Sequence, residues 1–118
     1  MPTPVAAPAE AEQLIGAWRS VQDRTEIRTF YADGTTADRA GAGPPWRARW
    51  DWVSPASVPR IPDTVDRPVL RLITIDDSGT LQPGEVYFYG VTFADPDTLS
   101  LVYFGGLGRP LDFTRVPA

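Results

Sequence analysis

Glu85-Val86-Tyr87-Phe88-Tyr89-Gly90-Val91-Thr92-Phe93-Ala94 runs into Asp95-Pro96-Asp97 and then into Thr98-Leu99-Ser100-Leu101-Val102-Tyr103-Phe104. Two runs rich in aromatic and β-branched residues around a short polar turn read as an antiparallel hairpin. Pairing Ala94 with Thr98 sets Phe93 opposite Leu99, Val91 opposite Leu101 and Tyr89 opposite Tyr103. Large apolar side chains then meet on one face at every step. The same face continues through Tyr87 to Glu85, so it grades from apolar at the turn to phenolic and acidic at the far end. On the other face Phe88 and Phe104 form a second apolar pair.

Outward from this hairpin the text stays β-like. Trp46 to Val53 alternates strictly, with Trp46, Ala48, Trp50 and Trp52 on one face and Arg47, Arg49 and Asp51 on the other. Val69 to Asp76 is a further strand, closed by Asp77-Ser78-Gly79, and Leu111 to Val116 is the last. Upstream, Trp18 to Gln22 and Thr25 to Tyr31 are short strands, followed by the turn Ala32-Asp33-Gly34. Ala9 to Ile15 carries helix formers for one or two turns before Gly16. Residues 1–8, with Pro2, Pro4 and Pro8, read as a flexible or extended lead, leaving 9–118 as a single domain. The segment 54–68 holds Pro55, Pro59, Pro62 and Pro68 and is expected to be a long surface loop, mobile at a pocket mouth. Seven or eight short strands with regular turns define an all-β antiparallel sandwich or barrel.

Leu14-Ile15-Gly16-Ala17-Trp18-Arg19-Ser20 resembles the Gly-x-Trp opening of lipocalin-like (calycin) barrels, including the short helix before it. Phe30-Tyr31-Ala32-Asp33-Gly34-Thr35 is similar to the second-strand hairpin of small bacterial members, and Leu111-Asp112-Phe113-Thr114-Arg115-Val116 to their closing strand. The resemblance implies a single antiparallel up-and-down β-barrel of about eight strands with a short N-terminal helix. It also implies that Arg115 packs across Trp18, a structural pair closing the narrow end. A guanidinium stacked on an indole can satisfy its charge against the π face and nearby carbonyls.

The residue inventory removes much chemistry. The 118 residues include 11 basic and 15 acidic side chains, and all 11 bases are arginine. There is no histidine, cysteine, lysine or asparagine. Imidazole relays, thiolate nucleophiles, disulfides, Cys/His zinc sites and lysine Schiff bases are therefore excluded. A net charge of −4 argues against nucleic acid, even for the Trp/Arg run 46–52, whose two residue types lie on opposite faces. No apolar run suits a membrane, and Met1 to Ala9 lacks signal-peptide character, so a cytoplasmic location is expected. Asp76, Asp77, Asp95 and Asp97 fall in turns, where they cap backbone rather than gather around a metal. Gly105-Gly106-Leu107-Gly108 precedes a strand, not the helix a phosphate loop needs. No metal and no cofactor is expected.

Two orientations of Thr25–Tyr31 stay open. If Phe30 follows Trp18 inward, Glu26 and Arg28 turn in with it. The simpler choice places Ile27, Thr29 and Tyr31 inside and the charges in water, because a buried Glu-x-Arg pair is costly. The expected function is binding of a hydrophobic or aromatic small molecule in the barrel, with Trp50, Trp52, Tyr87, Tyr89 and Tyr103 as walls and Glu85 or an inward arginine fixing orientation. The alternative is a cofactor-free cyclase or isomerase of bacterial secondary metabolism, using Glu26 or Glu85 as acid or base and Tyr89 as donor. The Phe88/Phe104 face would suit a homodimer contact.

Overall fold

The computed structural model describes residues 2–62, 64–76, 83–105 and 109–117. The turn Asp77-Ser78-Gly79 and the glycine-rich residues Gly106 to Gly108 lie outside the described residues. A short helix α1 (Ala11–Leu14) leads into eight strands: β1 (Gly16–Ser20), β2 (Glu26–Phe30), β3 (Thr35–Ala40), β4 (Trp46–Val53), β5 (Val69–Thr74), β6 (Val86–Asp95), β7 (Thr98–Tyr103) and β8 (Pro110–Arg115). Each strand pairs antiparallel with its neighbours in sequence, and β8 returns to β1, so the sheet is a closed up-and-down barrel.

The β6–β7 hairpin carries the register read from its side chains: Phe93 faces Leu99, Val91 faces Leu101 and Tyr89 faces Tyr103. One detail differs. Thr98 pairs with Asp95 rather than Ala94, because the ladder shifts between Phe93 and Asp95. Asp95 accepts from the Asp97 amide at 2.8 Å and from the Thr98 hydroxyl at 3.1 Å, which closes the turn around its own carboxylate. β3 escapes a reading based on large apolar residues. Its sequence Thr-Thr-Ala-Asp-Arg-Ala contains none, and it is held by ladders to β2 and β4 instead.

The interior is filled by alternate residues of every strand. Leu70, Leu72, Leu99 and Leu101 are wholly buried with Trp18, Phe30 and Phe113. Each such leucine stabilises the fold by about 2 kcal/mol relative to exposure. Outside, Arg71 grips Asp51 through Nε and Nη2 at 2.8 and 2.5 Å, and Arg47 grips Asp76 at 2.9 Å, so the charged face of the Trp/Arg run is the outer wall.

The segment 54–68 differs from its expected role as a mobile mouth. It opens with a 3-10 turn (Pro55–Ser57) and sends Val58, Ile61 and Val65 against Val53, Val69, Phe88 and Phe104 on the barrel's outer surface. The chain thus lays its own apolar segment on the Phe88/Phe104 pair. The segment is pinned further by the ion pair Arg67–Glu10 and by the Thr3 amide donating to the Ser57 hydroxyl at 2.9 Å. Residues of the lead lie along the end of β4, with Pro4 bridged to Val53 and the Val5 amide donating to the Trp52 carbonyl at 3.0 Å.

One end of the barrel is plugged. The Arg115 guanidinium lies 4.2 Å from the centre of the Trp18 ring. Its nitrogens donate to the carbonyls of Gln13 (2.6 Å), Pro96 (2.9 Å) and Ile15 (3.2 Å), and to the Asp97 carboxylate (3.1 Å). The Trp18 indole donates to the Leu14 carbonyl at 2.9 Å, tying the helix to the same plug. Gly16 has φ +132°, and a Cβ there would stand 2.8 Å from Arg115 Nη1. Glycine is required at this place for both reasons. Gly16→Ala is therefore expected to cost about 2 kcal/mol or more in urea denaturation, with Arg115→Lys costing about 1–3 kcal/mol through lost carbonyl contacts. Gly43→Ala, where the nearest foreign atom to a Cβ is 3.7 Å away, should stay within about 0.5 kcal/mol of the parent.

Candidate functional site

A single row of ladder partners leads from the plug into the barrel. Arg115 pairs with Trp18, Trp18 with Arg28, Arg28 with Asp38, and Asp38 with Trp46. All five side chains belong to inward positions, so the orientation of Trp18 dictates the other four. This corrects the simpler reading of the second strand. Phe30 is 1% exposed and Arg28 6%, whereas Tyr31 is 48% exposed. The burial of Arg28 is made tolerable by a partner on the strand that apolar pattern did not disclose. Asp38 accepts from Arg28 Nε at 2.8 Å and from Nη2 at 2.7 Å. Glu26 adds a second carboxylate 3.6 Å from Nη2.

A cavity of about 310 Å³ opens beside this pair, lined by Arg28, Asp38, Trp46, Tyr87 and Tyr89. It lies toward the end of the barrel opposite the plug, where β4 and β6 begin. The volume falls at the low end of the range typical of small-molecule sites, roughly 300–1,000 Å³. Tyr103 stands behind the tyrosine wall, 5.8 Å from the Tyr87 ring and 5.7 Å from that of Tyr89, and Trp46 meets Tyr87 edge-on at 6.4 Å. Tyr87 donates its hydroxyl to Glu85 at 2.8 Å.

The tryptophans divide between the two ends. Trp50 packs edge-on to Phe30 at 5.8 Å and donates its indole N–H to the Thr35 carbonyl at 2.9 Å, which makes it a structural residue of the β2–β3 hairpin. Trp52 is 5% exposed within the core. Neither lines the cavity, whereas Trp46 does. Asp38 is the wall residue that the sequence did not single out, whereas Trp46 stood there on the aromatic face shared with Trp50 and Trp52.

Electrostatics set the cluster apart. Hydrogen bonding to Asp38, then burial and the Asp38 charge, push the Glu26 carboxyl up to about 7 against the opposing pull of Arg28. Burial draws the Arg28 guanidinium down, but Asp38 foremost, with Tyr89 and Glu26, outweighs it and holds Arg28 above its ordinary value. Burial raises the Tyr89 phenol, with Arg28 opposing. Burial and then the bond to Glu85 push Tyr87 to about 12. Arg28 is therefore a permanent cation, and Glu26 is the group poised to exchange a proton near neutrality.

Four buried side-chain donors have no hydrogen-bond partner among the described residues, Arg19 Nε, Arg28 Nη1, Trp46 Nε1 and Trp52 Nε1, and of their residues Arg28 and Trp46 line this cavity. A larger depression of about 610 Å³ lies over the Asp95–Thr98 turn and the end of β8, but its arginine, Arg115, is already engaged in the plug. Among the described residues no group of three or more acidic side chains is placed to hold a metal ion, and no helix is long and apolar enough to cross a membrane. Comparison with protein-family models, with curated proteins and with solved structures yields no match to this chain.

The pH dependence of stability follows from Glu26. Its pKa is raised on folding from 4.5 to about 7, so the folded chain retains a proton that the unfolded chain releases. The resulting stabilisation is complete below pH 4.5 and is lost as pH rises through 7. The sequence has no histidine, and among the described residues no other side chain is shown shifted into that window. Urea midpoints are expected to fall between pH 5 and pH 8 by about 1–3 kcal/mol equivalent, and Glu26→Gln should flatten the slope. Carbon-13 NMR of the labelled carboxyl should show the titration directly near pH 7.

Proposed function

We propose that this chain is a small calycin-like barrel that binds one hydrophobic or aromatic molecule in the cavity at its unplugged end. The observation that carries the reading is the aromatic-walled cavity, two of whose lining residues, Arg28 and Trp46, each hold a buried donor without a partner. Buried polar groups in native proteins are nearly always hydrogen-bonded, so donors left over at a cavity wall favour a ligand that accepts from them. The eight-stranded closure supports the kinship, since barrels of this strand number have room for one small ligand. The Gly16, Trp18 and Arg115 plug supports it too, because it occupies one end and leaves the other for entry.

A second reading, a cofactor-free cyclase or isomerase, is favoured by one feature. Glu26 sits near neutrality next to Arg28 and Asp38, which suits a general acid or base at physiological pH. Tyr89 at the cavity wall would hold the substrate. Glu85, engaged by Tyr87, would act on that hydroxyl rather than on substrate directly. Binding without turnover of any co-purified ligand supports the first reading; conversion lost in Glu26→Gln supports the second.

The test of the binding reading is a titration with N-phenyl-1-naphthylamine, followed by tryptophan emission, alongside native mass spectrometry of the protein from its own host. Saturable one-to-one quenching is expected, mostly lost in Trp46→Phe and kept in Trp50→Phe. Absence of saturable binding, or quenching carried by Trp50, would count against the cavity.

A further inference from the structure

The unpartnered donors say more about the ligand than that it is apolar. Resting on the cavity reading above, we infer that the site selects an uncharged flat ring system bearing a carbonyl-type acceptor, received jointly by Arg28 Nη1 and Trp46 Nε1, and that it disfavours carboxylates.

The inference comes from counting donors, acceptors and charges. Arg28 spends Nε and Nη2 on Asp38 at 2.8 and 2.7 Å, and its side chain is 8% exposed. Nη1 is left buried and unused, as is the indole N–H of Trp46. The two groups are neighbours, with the guanidinium carbon 6.0 Å from the Trp46 ring centre. Both are donors with no acceptor function, so each calls for an acceptor that the Asp38 carboxylate and the Tyr87 and Tyr89 hydroxyls, which also line the cavity, do not supply to it. An arginine at a ligand site ordinarily suggests an anion, but here its charge is already met. Asp38 is in direct contact, and Glu26 lies 3.6 Å from Nη2. The three groups sum to zero or to minus one. A ligand carboxylate would add another negative charge to a buried cluster with no cation to spare. A neutral carbonyl oxygen carries two lone pairs, enough for both donors, and adds no charge. The shape points the same way. Trp46, Tyr87 and Tyr89 present aromatic walls around about 310 Å³, room for two fused rings.

Three matched probes separate the possibilities: 2-acetylnaphthalene, 2-naphthoate and 2-ethylnaphthalene, titrated at pH 7.5 by calorimetry or tryptophan emission. The ketone is expected to bind at least tenfold more tightly than either of the others. Trp46→Phe, which keeps a ring and removes the donor, should weaken the ketone five- to tenfold and leave 2-ethylnaphthalene within twofold. Asp38→Asn, checked for folding by circular dichroism, should release the Arg28 charge and move the ketone-to-naphthoate ratio at least tenfold toward naphthoate. Equal binding of ketone and hydrocarbon, or tighter binding of naphthoate by the parent protein, overturns the inference while leaving the cavity in place. Failure of all three probes to bind removes the cavity reading and the inference with it.

Discussion

The stacking of Arg115 on Trp18 is the contact from which the rest of the barrel takes its register. It joins the first strand to the last and the helix to both, and it seals one end. Because side chains in a strand alternate with a period of two, fixing Trp18 inward fixes Arg28 inward on the next strand, then Asp38, then Trp46. Plug and cavity are thus two stations on one cross-strand row. A one-residue slip at the plug would turn Arg28 to solvent and dissolve the cavity wall.

The interior charge cluster shows how such a row is made tolerable. A lone buried guanidinium would be expensive, and so would a lone buried carboxylate. Arg28 and Asp38 neutralise each other at hydrogen-bond distance, and Glu26 stays near neutral by holding its proton up to about pH 7. The phenols around them add polarity without charge. The outcome is a small polar niche at one end of an apolar barrel, in which Arg28 and Trp46 each keep a buried donor without a partner.

Strands whose inward residues are large and apolar announce themselves in the sequence. The β6–β7 hairpin, the alternation of Trp46 to Val53 and an antiparallel sandwich or barrel were readable from residue types, whereas the Trp18–Arg115 plug and the up-and-down barrel came from the resemblance to lipocalin-like barrels. β3 was silent because its inward residues, Thr36 and Asp38, are both polar, and a polar inward face is indistinguishable from a loop in one sequence. That silence propagated. Without Asp38 as a visible partner, an inward Arg28 carried an unmet cost, and the orientation of the second strand stayed open with the charges in water as the simpler choice. The proline-rich segment misled for a different reason: Val58, Ile61 and Val65 are spaced by prolines and polar residues, so their common burial depends on a surface supplied by Val53, Val69, Phe88 and Phe104, distant in the chain. Aromatic count alone also could not divide Trp46 from Trp50 and Trp52, since which end of the barrel each occupies is set by strand stagger.

Closure of the sheet has a consequence beyond shape. β1 and β8 meet over three ladder positions, against six for β4 and β5, so the seam that Arg115 fastens is also a short one. While it holds, the barrel has no free strand edge. Once it parts, two edges appear at the same moment, in a chain whose inner strands are rich in leucine, valine and aromatic residues. Such edges recruit strands from other molecules and grow into aggregates. The arginine that shapes the interior therefore also guards solubility, and it does so at the one place where the circle was joined.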